Sequence, residues 1–155
     1  MPVEFRGFRA SDQAAFRALN EAWIVKLFVM EPKDYEVLDD PDTHILKKGG
    51  HIFIGEDHGE AVACCALISR EPGCFELSKM AVHEARRGAG IGLKLVEYAI
   101  ERARALGAKR IYLESSVKLP NAVHIYEKAG FRHLPPERVV SSPYARSSVY
   151  MEMLL

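Results

Sequence analysis

The run Arg87-Gly88-Ala89-Gly90-Ile91-Gly92 is the stretch of this chain best suited to meeting an anion. Glycine at every second position lets the backbone turn tightly and approach a ligand, because no Cβ intervenes. The run stops where a helical apolar pattern begins. The free N–H groups of a first helical turn, and the positive end of its dipole, therefore face one space. Arg87 adds a fork of guanidinium donors at the rim. The plainer alternative is an ordinary glycine-rich turn before a helix. Spacing excludes the two commonest phosphate loops. A dinucleotide fingerprint needs a third glycine where Leu93 stands, and the Gly-Lys-Ser/Thr ending of a nucleoside-triphosphate loop is missing.

Other chemistry is harder to support. The three cysteines are Cys64, Cys65 and Cys74, an odd number without a Cys-x-x-Cys pair. Neighbouring strand residues point to opposite faces, so Cys64 and Cys65 cannot chelate one metal from a regular strand. The histidines form no His-x-x-x-His pair; His83-Glu84 is followed by Arg87 where the second histidine would be needed. No structural metal is expected. Lys+Arg and Asp+Glu both number 21 in the 155 residues, so the basic excess of a general nucleic-acid binder is absent. No apolar run approaches the ~20 residues that span a bilayer. The N-terminal MPVEFRGFRASD does not read as a signal peptide, which makes the cytoplasm the expected compartment.

These residues need a scaffold, and the patterning supplies one. Val3–Phe8 reads as a strand. A helix follows from an N-cap at Ser11 with Phe16, Leu19 and Trp23 on one face, and a second from Ile24 to Met30. Pro32 opens a short helix through Leu38, and Asp39-Asp40-Pro41-Asp42 closes the helical section as a turn. Residues 51–56 and 60–70 are strands joined by Asp57-His58-Gly59, with a further strand over 74–83 after Pro72-Gly73: an antiparallel meander. The helix over 91–106 puts Leu93, Val96, Ile100 and Ala103 on its buried stripe, and Gly107 ends it. A strand over 109–116, a helix from Pro120 to Gly130, and strands over 131–134 and 147–155 complete the chain. The long helix crosses between the strands at 74–83 and 109–116, which makes those two parallel neighbours. Leu77 and Met80 are three apart where one face needs two. An extra residue near Ser78-Lys79, a β-bulge, would put both on one face; the alternative is that Leu77 faces the other layer.

The loop Arg87-Gly88-Ala89-Gly90-Ile91-Gly92, after a strand and opening a helix, resembles the pyrophosphate signature of the GNAT superfamily of acetyl-CoA-dependent N-acetyltransferases. The run Asn121-Ala122-Val123-His124-Ile125-Tyr126-Glu127-Lys128-Ala129-Gly130-Phe131 is similar to its second signature. The resemblance in element order extends over residues 1–155 as one domain. It implies a mixed α/β fold of GNAT type: a central, mostly antiparallel sheet of about seven strands, flanked by helices and splayed between strands 4 and 5. It implies acetyl-CoA as cofactor, with residues 87 to 92 on the pyrophosphate, backbone N–H groups at Met80, Ala81 and Val82 on the pantetheine and thioester, and Asn121 on the pantetheine arm. Tyr126 would be the general acid that protonates the departing thiolate.

Less of the acceptor side can be read. Glu76, at the start of the fourth strand, is the favoured general base, with Glu114 in the parallel neighbour as the alternative. The amine is expected to enter opposite the cofactor, which points to Trp23, Phe28 and Tyr35 early and to Tyr144 and Arg146 late. Arg146 would pair with an acceptor carboxylate. The expected activity is direct acetyl transfer to a primary amine, favouring a small molecule. A protein acceptor and a non-catalytic acyl-CoA-binding module are the competing readings. Cys74 is the thiol to test as a nucleophile, and dimerisation through the terminal strands is compatible with the sequence.

Overall fold

The computed structural model describes residues 3–155. The chain runs β1 (Glu4–Gly7), α1 (Gln13–Leu27), α2 (Pro32–Asp39), α3 (Pro41–His44), β2 (His51–Asp57), β3 (Glu60–Ser69), β4 (Cys74–Val82), α4 (Ile91–Ala105), β5 (Arg110–Ser115), α5 (Pro120–Ala129), β6 (Arg132–His133) and β7 (Val149–Leu154). Its strands form one seven-stranded sheet in the order β1-β2-β3-β4-β5-β7-β6. Every neighbouring pair is antiparallel except β4 with β5, which α4 joins as a crossover.

Alternation along the central strands divides the core between two faces. Phe53, Cys65, Leu67 and Leu77 pack with α4 and α5, against Leu95, Val96, Ile100 and Phe131. Ile52, Ile54, Cys64 and Ala66 pack with the early helices, against Phe16, Ile24, Val37 and Leu38. The adjacent thiols thus point to opposite layers, and both are fully buried and free.

Several boundaries differ from the sequence reading. Ser11 lies in a 3-10 turn, and α1 starts after Asp12, whose carboxylate is held by Arg6 and the Arg9 amide. The helix expected from Ile24 is the last stretch of α1, because the Phe28 amide still bonds the Ile24 carbonyl before the chain turns extended. Asp40 caps the short α3 through the Thr43 amide, so the expected turn is itself helical. On α4 the buried stripe is Ile91, Leu95, Val96, Ala99, Ile100 and Ala103. Leu93 lies only partly buried at its margin.

Two irregularities place the site. Pairing of β4 with β5 stops at Leu77↔Leu113, although both strands continue, so they part beyond that point. Across the other edge of β4, Ser78 pairs with Ala66 and Ala81 with Cys64, leaving Lys79 and Met80 opposite the single residue Cys65. This is the bulge that the Leu77–Met80 spacing predicts, and both side chains do pack into the α4 layer. Lys79 sits there at φ +54, a left-handed conformation that costs a side-chain-bearing residue about 1–2 kcal/mol.

Candidate active site

The parting of β4 from β5 opens a cleft of about 840 Å³. Its walls are β4 from Glu76 to Val82, the loop into α4, the start of α5, and the segment around Tyr144–Ser147. Trp23 closes it from the side of α1.

At one end lies the glycine loop. Gly88 and Gly90 have φ +87 and +79, and a Cβ at either would meet nothing within 4 Å. The loop therefore needs glycine for its turns and not for lack of room, which is how a backbone cradle open to a ligand is built. Gly90 is the N-cap of α4, so the unpaired amides of the first turn face the cleft mouth. Gly92 serves differently. A Cβ there would come within 3.0 Å of the tip of the Ile125 side chain on α5, a tight contact. Arg86 is tied to Asp57, whereas Arg87 is exposed and makes no ion pair among the described residues. A phosphate group fits this end: open space, amides at a fifteen-residue helix's N-terminus, and an uncommitted guanidinium.

Further in, β4 has no partner on the β5 side beyond Leu77, so backbone groups on that edge stand beside the opening. Tyr126, on α5, is buried and packs edge-on to Phe131 with ring centres 6.0 Å apart. Its hydroxyl has no protein partner among the described residues, and burial raises its pKa, so it stays protonated. Asn121 lines the cleft in the first turn of the same helix.

Two carboxylates flank the point of divergence. Glu76 pairs with Tyr112 one residue before it, and Glu114 follows Leu113 on the other strand. They differ in surroundings. Glu114 accepts hydrogen bonds from the hydroxyls of Tyr112 at 2.9 Å, Ser147 at 3.0 Å and Ser142. Glu76 is buried with Arg70 3.1 Å away. Burial pushes its pKa up to about 7, with Arg70 opposing and Glu114 adding to the rise. A carboxylate titrating near neutrality, facing a cleft, is suited to proton transfer.

The far end is roofed by a network that the sequence did not reveal. Asp34, fully buried on α2, accepts from Lys79 Nζ at 2.9 Å and from both terminal nitrogens of Arg146 at 2.8 and 2.6 Å. It also caps its own helix through the Glu31 amide. Burial acts to raise its pKa, but these donors and charges hold it down to about 2. Arg146 is sandwiched, with its guanidinium carbon 4.5 Å from the Tyr144 ring centre and 5.5 Å from that of Trp23. Arg146 thus meets a carboxylate, but the partner is Asp34 of this chain. No local pattern links Asp34 to residues so distant in sequence as Lys79 and Arg146.

Of the other expected residues, Met80, Ala81, Val82, Arg87, Gly88, Gly90, Ile91 and Gly92 line the cleft, as do Trp23, Tyr144 and Arg146. Ala89 and Phe28 do not; Phe28 stands behind Trp23, edge-on at 6.2 Å. Tyr35 is exposed under Arg17, away from the opening. Cys74 lies at the opposite end of β4, with its thiol raised by burial and bonded by Arg110, which ill suits a nucleophile. No group of three or more potential metal ligands occurs among the described residues, and no helix there is long and apolar enough to cross a membrane.

Comparison with known proteins bears on the same region. The model of the acetyltransferase (GNAT) family matches residues 13–131. An uncharacterised N-acetyltransferase of Escherichia coli (strain K12) is 37% identical over 109 residues, 66% of this chain and 65% of that protein. The matched region spans just under two thirds of the length of the first curated relatives. Among solved structures, a GNAT-family acetyltransferase from Staphylococcus aureus Mu50 superposes with a TM-score of 0.88 at 19% identity, covering 98% of both chains. N-acetylglutamate synthase from Neisseria gonorrhoeae, complexed with coenzyme A and N-acetyl-glutamate, superposes at 0.74 and 20% identity over all of this chain and 35% of its own. At those identities the likeness is one of fold.

Proposed function

The chain belongs to the acetyltransferase (GNAT) family, and from that premise we propose that it moves the acetyl group of acetyl-CoA directly onto a primary amine of a small molecule. The observation that carries the proposal is the common opening. An anion cradle, unpaired strand backbone, a protonated tyrosine and a carboxylate of near-neutral pKa all line one cleft.

Bound acetyl-CoA supplies an activated thioester. The amides of residues 88 to 92 and the Arg87 guanidinium hold its pyrophosphate, and Asn121 holds the pantetheine arm. Backbone donors at Met80, Ala81 and Val82 steady the carbonyl oxygen as negative charge builds on it. One such donor is worth about 3 kcal/mol in comparable sites. Glu76 takes the proton from the attacking amine, so that the new C–N bond forms without a lasting charge on nitrogen. Tyr126 gives its proton to the sulfur as the C–S bond breaks. Its raised pKa does not rule this out, because a thiolate in the same desolvated cleft is itself more basic than in water.

The acceptor end supports a small amine. Tyr144, through Lys79, and Arg146, directly, are tied to Asp34 and roof this end with side chains of the chain itself. With its guanidinium on Asp34, Arg146 is not free to pair with an acceptor carboxylate. That favours an acceptor without its own carboxylate at this point.

Thiol release from acetyl-CoA across a panel of amines tests the reading. Release with at least one amine is expected, and Tyr126→Phe should lower turnover about 10²-fold with acetyl-CoA affinity unchanged. A chain that binds acetyl-CoA yet releases no thiol with any amine would be a binding module instead.

A further inference from the structure

The acetyl-transfer reading leaves Lys79 without a role, and its surroundings are unusual. It occupies the bulge of β4 at φ +54, the one left-handed side-chain-bearing residue within a strand among those described; His58, the other, lies in the hairpin turn between β2 and β3. The backbone at 79 and 80 has no partner on the β5 side. The carbonyl of Lys79 instead accepts from the Cys64 thiol at 3.6 Å, and that sulfur is in turn held by Asn20 at 3.4 Å.

The side chain is equally constrained. It is only 3% exposed, with Nζ 2.9 Å from Asp34 Oδ1 and 3.1 Å from the Tyr144 hydroxyl. Asp34 cannot yield easily, since it also binds the Glu31 amide at 2.9 Å and grips Arg146. The lysine thus joins a fixed carboxylate to a left-handed turn of backbone. An ion pair this buried is a poor device for stability alone, because apolar replacements commonly do as well or better. What it fixes is geometry.

We propose that Lys79 is a positioning residue. Its buried ammonium, anchored on Asp34, holds the bulge in the left-handed turn that aims the donors of residues 80 to 82 at the acetyl carbonyl. This rests on the functional reading above. It adds that the donors' aim depends on an ion pair reaching from α2, and that the roof carrying Tyr144 and Arg146 shares the same anchor. Misplacement of reacting groups by about 1 Å can cost ~10² in rate.

The test compares Lys79→Met, which keeps the stem and removes the charge, with Lys79→Gly, which accepts positive φ without needing an anchor. Lys79→Met should lower kcat about 10–100-fold, with the acetyl-CoA Kd changed less than about twofold. Lys79→Gly should fold with a lower melting temperature and recover kcat to within about fivefold of wild type, since its backbone tolerates the turn. Asp34→Asn should behave like Lys79→Met, and carries the test should that variant fail to fold. Nuclear magnetic resonance gives a readout that needs no acceptor. The Met80 amide should respond differently to acetyl-CoA and coenzyme A in wild type and Lys79→Gly, and lose that difference in Lys79→Met. Wild-type kcat in Lys79→Met, equal loss in Lys79→Met and Lys79→Gly, or an unchanged Met80 response would each overturn the inference. A wild-type chain that fails to bind acetyl-CoA would instead overturn the functional reading.

Discussion

The two ends of the cleft are built on different principles. The glycine-loop end is made of main chain. Its contacts come from amides at the start of α4 and from two left-handed glycines, with one uncommitted arginine at the rim. The other end is made of side chains. Trp23, Asp34, Glu76, Lys79, Glu114, Tyr144 and Arg146 come from α1, α2, β4, β5 and the segment before β7, and most of them are already bonded to each other. A main-chain cradle recognises a ligand common to many relatives, and it tolerates change everywhere except at positions of special φ. A side-chain network can be altered one residue at a time. The first end is thus suited to a constant cofactor and the second to an acceptor of its own.

The sharpest way to break this comparison is at Glu76, where the side-chain end meets the chemistry. Glu76→Gln keeps shape and removes the proposed base, and should lower kcat by about 10²–10⁴. The wild-type rate should rise with pH through about 7, because the carboxylate whose pKa burial has raised must ionise before it can accept a proton. The variant should lose that limb. If Glu114→Gln removes it instead, the base is Glu114, despite its three hydroxyl donors.

A smaller effect belongs to the other end. Gly90→Val puts a β-branched residue at φ +79 and fills space that is open above the loop. Acetyl-CoA should bind about 10–100-fold more weakly by calorimetry, from the lost turn and the blocked amides, while kcat at saturation changes less than about threefold. A change confined to kcat would mean that the cradle does more than bind.

The same contrast explains what was legible in the sequence. The glycine loop was readable because it depends on residues within a few positions of one another, and the crossover because an unbroken helical pattern separates its two strands. Leu77 and Met80, three apart, point to a bulge near Ser78-Lys79 but leave open that Leu77 faces the other layer; the pairing of β3 with β4 decides for the bulge, at Lys79–Met80. Local signals failed where a pairing was long-range. Arg146 reads as a ligand for an acceptor carboxylate until Asp34 is seen to occupy it. Glu76 and Glu114 become distinguishable only once Ser142 and Ser147 are placed on the latter. On α4, Leu93 reads as core, but Leu95 and Ala99 hold that place, since Val96 and Ile100 fit either stripe. Only the register of α4 against the sheet decides between them.

The least of these effects tests whether even the main-chain end uses a side chain. Arg86 and Arg87 are neighbours of the same type, but Asp57 holds the first and nothing among the described residues holds the second. Arg86→Ala should remove a tie between the loop and β2, and leave acetyl-CoA binding within about twofold of wild type. Arg87→Ala should weaken binding about 3–10-fold at low salt, and the difference should shrink as salt rises, because the guanidinium is exposed and its attraction is screened within about 10 Å at 0.1 M. Equal losses from the two variants would mean that the loop acts by overall charge. A larger loss from Arg86→Ala would mean that the tie to Asp57 shapes the cradle, and the glycine loop would then depend on a side-chain network as the acceptor end does.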